Sequence, residues 1–293
     1  MADAALPKSG AAVGRPVAVV TGASGGIGRW IALGLARAGR HVVLVARSRE
    51  RGEAARNWIA EQAPGASTEL VVADLSLLAE VRAAAETIRA RHPRIALLVN
   101  NAGVYRPRRE VTMEGQERVL AVNHLAPFVL THGLLDALRA GAPARVVNVG
   151  SSMSERVGIA PDDLPLRRNW NMVRAYGRSK LAMLMCTMEL AHSLEDSGVV
   201  ANVVHPGSVA TGIVRGTGIA GLTWRLLTPF LLTEEQGAAA PLHLALAPGL
   251  RDTTGRYFRG TRPAAPNRRA LDAALRRAVL ARTEELVSAR FPA

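Results

Sequence analysis

Seven short and almost wholly apolar runs punctuate the chain, at 17–20, 42–46, 69–73, 95–100, 145–149, 199–204 and 255–258, and longer stretches separate them. A run that loses the in–out alternation of a half-buried strand belongs to a strand covered on both faces. Such strands, separated by helices, are joined in parallel by right-handed crossovers that lay helices on both sides of the sheet. The intervening helical patterns fall at 27–38, 50–62, 77–91, 111–138, 177–197 and 234–247. A last one, over 271–289, spaces Leu271, Leu275, Val279 and Leu286 as a helix would. The pattern predicts an α/β fold: one doubly wound domain over 16–293 with a parallel seven-stranded sheet, after a disordered tail over 1–15. No internal repeat or composition shift marks a second domain, and three segments fit neither period: 158–171, 211–232 and 259–269.

A chain of 293 residues with 48% hydrophobic side chains buries a sufficient core without cross-links. Cys186 is its single cysteine, so no intrachain disulfide forms, and no Cys/His cluster has zinc-ligand spacing. No metal is expected, and the reducing cytoplasm fits best. The apolar runs are too short to span a bilayer, and the N-terminus has Asp3 and Pro7 where a secretory signal has a basic start and an apolar run. The formal net charge of +13 raises the question of a polyanionic partner. Of 37 basic residues, however, only Lys8 and Lys180 are lysine. The arginines are scattered among acids, as in Arg51/Glu53, Glu86/Arg89 and Glu117/Arg118, with no interleaved aromatics to stack on bases. That distribution argues for solvated helix faces and a coding bias towards arginine, and against a nucleic-acid groove.

The first apolar run passes directly into Thr21-Gly22-Ala23-Ser24-Gly25-Gly26-Ile27-Gly28, and a helix pattern follows. Glycines between a strand and a helix allow positive φ and let a pyrophosphate reach backbone N–H groups at the positive end of the helix dipole. Gly22, Ser24, Gly25, Gly26, Ile27 and Gly28 are therefore candidate ligands of a dinucleotide. An NAD site usually adds an acid for the ribose 2′-hydroxyl about 20 residues further on. Here that stretch reads Ala46-Arg47-Ser48-Arg49. With no carboxylate to repel a 2′-phosphate, and Arg47 and Ser48 to pair with it, the charge logic favours NADP(H). Arg29 is either a further phosphate contact or a solvated helix residue.

A second pattern carries acid–base chemistry. Tyr176-Gly177-Arg178-Ser179-Lys180 opens a helical stretch after the fifth run. Residues four apart share one helix face, so the ammonium is expected to draw the phenol down from about 10 towards working pH. A phenol so tuned is a usable acid/base. The chain has three tyrosines and two lysines, which makes coincidence a poor explanation.

With Thr-Gly-x-x-x-Gly-x-Gly at the first turn and Tyr-x-x-x-Lys later, the chain resembles the short-chain dehydrogenase/reductase family over about 16–258. The resemblance implies a Rossmann fold and NADP(H) as hydride carrier. It implies that Asp74 and Leu75 lie near the adenine, and that Asn101, Ala102 and Gly103, in Asn100-Asn101-Ala102-Gly103, line the cofactor cleft. Tyr176 would exchange a proton with the carbonyl or alcohol oxygen, and Lys180 would also hold the nicotinamide ribose. Ser152, second of the pair Ser151-Ser152, would hydrogen-bond the substrate oxygen, the alternative being a plain strand-end turn. Asn123 would anchor a helix kink and a proton-relay water. In His205-Pro206-Gly207-Ser208-Val209-Ala210-Thr211, the resemblance assigns Pro206 and Gly207 to the turn under the nicotinamide. The main chain around Val209 would then bond its carboxamide, and Thr211 would reach the carboxamide or a phosphate. His124 and His205 read as packing residues.

Ser152 and Tyr176 stand 24 residues apart, a wider gap than many members have. The extra segment 158–171, with Asp162, Asp163 and Trp170, resembles the insertion of retinol dehydrogenase-like members, which act on lipophilic compounds. Ile213, Val214, Ile219, Leu222, Trp224, Leu226, Leu227 and Phe230 make 212–232 either a substrate lid or a core cap or subunit contact. Thr233 and Gln236 then restart a helix with a capping box. Met183, Met185 and Met188 read as core or dimer interface. The expected activity is NADP(H)-dependent interconversion of a ketone or aldehyde and an alcohol on a mainly apolar small molecule. The alternatives are a reaction without net redox, such as epimerisation or dehydration, and a nonenzymatic NADP(H) sensor. A sensor would have no need of Ser152, Tyr176 and Lys180. Family members often pair through the helices holding Asn123 and Tyr176, although monomers with inserted loops exist, so the resemblance leaves a homodimer or homotetramer and a monomer open.

Overall fold

The computed structural model describes residues 14–209 and 231–288. Residues 1–13 of the expected tail, Thr211 and residues 212–230 of the segment read as a lid or a core cap lie outside the described residues. The strands are β1 Val17–Thr21, β2 His41–Ala46, β3 Ser67–Val72, β4 Leu97–Asn100, β5 Ala144–Val149, β6 Val199–His205, β7 Tyr257–Arg259 and β8 Arg262–Pro263. The helices are α1 Gly26–Arg37, α2 Arg49–Gln62, α3 Leu78–Arg91, α4 Arg118–Leu120, α5 Ala126–Gly133, α6 Leu135–Ala140, α7 Met172–Ser193, α8 Glu234–Leu246 and α9 Ala273–Ser288.

The strands form one sheet in the order β3-β2-β1-β4-β5-β6-β7-β8, parallel except for the last pair. Val17, Val19, Val43 and Val45 enter the core shared with α3, α5 and α7. Ala18, Val20, Val42 and Leu44 enter the opposite core, shared with α1, α2 and α8. Each central strand thus feeds two cores, which is why its sequence shows no polar alternation. The eighth strand is a departure from the expected seven. Gly260, at φ 61°, turns the chain back so that Arg262–Pro263 pairs antiparallel with β7. Two residues ending in proline carry no periodicity to read.

Two helices also differ from the periodicity reading. The stretch 111–138 is not one helix: Val111 bridges to Glu117 around a turn, α4 begins only at Arg118, and Ala121–Leu125 is a π-helical turn. Pro127 has no N–H to give the Asn123 carbonyl, and the Ala126 N–H reaches back to the Ala121 carbonyl instead. Helix α7 starts at Met172 rather than Gly177, where the Asn171 side chain caps it by accepting from the Arg174 N–H at 2.9 Å. Met183 and Met185 are buried in the core and Met188 packs on it. The expected closing helix is α9, which lies on α7 and the π turn. Thr283 meets His124 Nε2 at 2.8 Å, and Arg276 Nε donates to Glu189 at 2.6 Å.

Candidate active site

Strand order reverses between β1 and β4, which opens a crevice at their carboxyl ends. Thr21, the last residue of β1, closes its floor. Its hydroxyl accepts from the N–H groups of Asn101 and Ala102 at 3.0 and 3.1 Å, and its carbonyl accepts from Asn101 Nδ2 at 3.0 Å. The glycine turn crosses this junction so closely that a Cβ on Gly28 would sit 2.3 Å from the Gly22 carbonyl oxygen and 2.4 Å from Asn101 Nδ2. Gly22 itself is at φ 67°, with Ala102 Cα 2.9 Å from where a Cβ would be. Helix α1 opens here without a side-chain cap, so its first N–H groups face the cleft unclaimed. A bare backbone cradle at a helix N-terminus is what a pyrophosphate requires, and the residues present fit a dinucleotide.

The cleft has a volume of about 860 Å³, in the range of small-molecule and cofactor sites. Gly22, Ser24, Gly25, Gly26, Gly28, Arg47, Asp74, Leu75, Asn101 and Ala102 line it towards one end. Ser152, Tyr176, Lys180, Pro206, Gly207 and Val209 line it towards the other, with Gly103 beside Lys180 and Ile27 beside Val209. Asp74 holds its turn, accepting from the Ser76 N–H at 2.9 Å. Ser48 does not line the cleft: its hydroxyl accepts from the Arg51 N–H at 3.3 Å and caps α2. Arg51, unselected from sequence, takes that place in the wall, with its guanidinium 3.4 Å from the Cβ direction of Gly25. Its mark in the sequence is the third arginine of the run Arg47, Arg49, Arg51, which falls in the first turn of α2. Arg29 turns away and stacks 4.2 Å over the Trp58 ring.

At the far end, Tyr176 packs edge-on against Tyr105 with ring centroids 5.2 Å apart. Burial raises the phenol above its ordinary value, a hydrogen bond with the Ser151 hydroxyl pulls it back, and Tyr105 adds to the rise. The expected lowering by Lys180 is therefore corrected: the net shift is upward. The ammonium is 3% exposed and donates to the Val149 carbonyl at 2.8 Å, and burial brings it down to about 8. The hydroxyl set against Tyr176 is that of Ser151, whereas Ser152 begins a short 3-10 turn, Ser152–Glu155, and lines the cleft beside it.

Asn123 lies behind the cleft wall, fully buried in the π turn. Its Oδ1 accepts from the Val104 N–H at 2.7 Å, and its Nδ2 donates to the Val104 carbonyl at 3.0 Å and to Ser179 Oγ at 3.1 Å. Asn123, expected to anchor a helix kink, lies in the middle of this π turn. Beneath the site, Asn100 Nδ2 donates to Asn148 Oδ1 at 2.8 Å and Asn148 Nδ2 to Thr187 Oγ1 at 2.8 Å, fixing β4, β5 and α7 to one another. His124 is buried and pushed down to about 3, in keeping with a packing role, while His205 is partly in the cleft wall. From the inserted segment, Leu166 and Trp170 join Val119, Ala175 and Val104 in an apolar cluster against Tyr176. Asp163 anchors that segment by accepting from the Arg167 N–H at 2.7 Å.

Residues 16–218 match the model of the short chain dehydrogenase family. The chain belongs to that family. It is 42% identical to retinol dehydrogenase 12 of Bos taurus over 243 residues, covering 83% of this chain and 77% of that relative. To retinol dehydrogenase 13 of Homo sapiens it is 38% identical over 295 aligned positions, covering 98% and 89% of the two chains. Among solved structures it is similar to an uncharacterized protein of Mycobacterium paratuberculosis, with a TM-score of 0.74, 30% identity and 95% of each chain covered. It is also similar to the NADPH-bound short chain oxidoreductase of Pseudomonas aeruginosa PAO1, described as containing an atypical catalytic center, with a TM-score of 0.68, 29% identity and 83% and 94% covered. The chain is thus a retinol dehydrogenase-like oxidoreductase of this family, with a nicotinamide cofactor and a small-molecule substrate. Among the described residues no helix is long and apolar enough to cross a membrane.

Proposed function

We propose that the chain is an NADP(H)-dependent oxidoreductase that interconverts an apolar ketone or aldehyde and its alcohol, with Tyr176 as acid/base. The observation that carries this reading is one cleft with a glycine cradle and two arginines at one end and Tyr176, Ser151 and Lys180 at the other. The part of its wall drawn from β2 and α2 is Val45, Ala46, Arg47 and Arg51, which offers a 2′-phosphate two cations and no carboxylate. The NADPH held by the similar Pseudomonas aeruginosa structure supports the same preference.

The bound nicotinamide supplies or accepts the hydride. Tyr176 gives its phenolic proton to the substrate oxygen in reduction and takes the hydroxyl proton in oxidation. Raised by burial, the phenol is fully protonated at neutral pH, the state a general acid needs. Ser151 holds the substrate oxygen beside the phenol, and its hydrogen bond stabilises the phenolate left after transfer. Lys180, steadied by the Val149 carbonyl, would hold the nicotinamide ribose and place positive charge near that phenolate. Asn123 acts through Val104 and Ser179, fixing the wall opposite Tyr176. Val104, Tyr105 and Met153 line the substrate end, and Leu166 and Trp170 back it with further apolar surface.

The similarity to retinol dehydrogenase 12 directs the test to apolar aldehydes. NADPH oxidation is followed against retinal, aliphatic aldehydes and hydrophobic ketones, with NADH as control. Turnover of at least one apolar carbonyl compound with a clear NADPH preference is expected. Turnover with NADH equal to that with NADPH overturns the cofactor reading, and no turnover of any carbonyl compound overturns the reaction.

A further inference from the structure

At the opposite end of the sheet, where the strands begin, lies a cluster the reaction does not use. His41 is the first residue of β2, Glu69 lies in β3 opposite Val43, and His92 caps the C-terminus of α3. His41 and Val43 are two apart on a strand and so share a face, which brings Glu69 beside the His41 ring. The helix end then sets the His92 ring 5.0 Å from that of His41, centroid to centroid.

The nitrogens are arranged unequally. His41 is 2% exposed, and its Nδ1 bonds Ser67 Oγ at 2.7 Å. Its Nε2 is buried without a hydrogen-bond partner and points at Glu69 Oε2 from 3.7 Å. His92 Nε2 reaches the same oxygen at 2.8 Å. All three atoms lie within 4.8 Å of one another. Around a tetrahedral ion with N and O ligands about 2.0–2.1 Å away, neighbouring ligand atoms are about 3.3 Å apart, between the two distances found here. One ion in place of the proton that His92 shares with Glu69 would satisfy all three atoms, including the orphaned Nε2. The Ser67 bond on the other side of His41 is the kind of outer partner that orients a metal-ligating imidazole.

We propose that His41 Nε2, His92 Nε2 and Glu69 Oε2 bind one divalent transition-metal ion of the zinc type, pinning the end of α3 to the β2–β3 edge. Two imidazoles and a carboxylate suit zinc or cobalt far better than magnesium or calcium. Glu69 is 15% exposed, which leaves a path for a water as fourth ligand. Arg91 bonds the other carboxylate oxygen, Oε1, and being 47% exposed it can stay as an outer partner while its charge weakens the site. Zinc-ligand spacing in the sequence could not show this, because the residues are 28 and 23 positions apart and meet only through the β2–β3 register and the end of α3.

The test titrates the full chain, free of any affinity tag, with Co²⁺ and then Zn²⁺, reading visible absorption, stoichiometry and thermal melting. One Co²⁺ per chain with the bands of a tetrahedral ion, displaced by Zn²⁺, is expected. Saturating Zn²⁺ should raise Tm by about 5 °C or more. His92→Gln keeps a donor for Glu69 and should abolish binding while melting near the wild type without metal. His41→Gln should do the same, and Arg91→Ala should bind more tightly. Absence of saturable one-to-one binding, or undiminished binding by folded His92→Gln, overturns the proposal.

Discussion

Replacing Lys180 by methionine should make the folded chain more stable and the enzyme inactive. Burial takes the ammonium from 10.5 to about 8, so below pH 8 the folded chain carries a penalty of roughly 3 kcal/mol for keeping that charge in the cleft wall. Between pH 8 and 10.5 the unfolded chain holds the proton and the folded chain does not, so wild-type stability rises with pH across that window. Lys180→Met removes the penalty at nearly constant length but deprives the Val149 carbonyl of its donor, which costs about 1 kcal/mol. The net gain at pH 7 is about 2 kcal/mol, or a Tm higher by about 3 °C for a chain of 293 residues. By pH 10 only about 1 kcal/mol of the penalty remains, and the two proteins should melt together. Calorimetry at pH 7 and pH 10, with NADPH oxidation measured in parallel, reads both effects. A variant that melts at or below the wild type at pH 7, or a difference that is unchanged at pH 10, refutes the reasoning.

Steady-state kinetics should separate the two serines: Ser151→Ala loses about 100-fold in kcat, while Ser152→Ala stays near the wild type, and the reverse order would assign the substrate oxygen to Ser152. Arg47→Ala should raise KM for NADPH about 10- to 100-fold, as for a lost charge-assisted hydrogen bond, and leave KM for NADH unchanged. Equal effects on both would detach Arg47 from the 2′-phosphate. Gly28→Ala drives a Cβ into the Gly22 carbonyl and Asn101, so cofactor binding by fluorescence titration should be lost, and an unchanged Kd would contradict the cradle.

The parts of the fold that were legible in sequence share a cause. Val17 to Val20 and Val42 to Ala46 face two cores at once, so burial is written into every position rather than alternate ones. The glycine turn was legible because the backbone at Gly28 leaves no room for any side chain. The break in the 111–138 stretch was not, because the Val111–Glu117 turn and the π turn interrupt an apolar pattern whose only marks are single residues, Gly115 at φ 72° and Pro127. The eighth strand was too short for any period. At the site, residue spacing brought Tyr176 and Lys180 together, but their electrostatics depend on burial, which spacing does not encode, and burial moves the phenol up. Arg51 displaced Ser48 because Ser48 sits at the helix cap, where its hydroxyl is committed to the backbone.

The central claim is that Tyr176 moves the proton that accompanies hydride transfer. It is tested most directly by the rate of NADPH oxidation with a turned-over apolar carbonyl compound, in the wild type and in Tyr176→Phe, with NADPH affinity measured on both. Loss of about 100- to 10,000-fold in kcat with NADPH still bound is the predicted result. Hydride transfer at the wild-type rate in Tyr176→Phe would contradict the account.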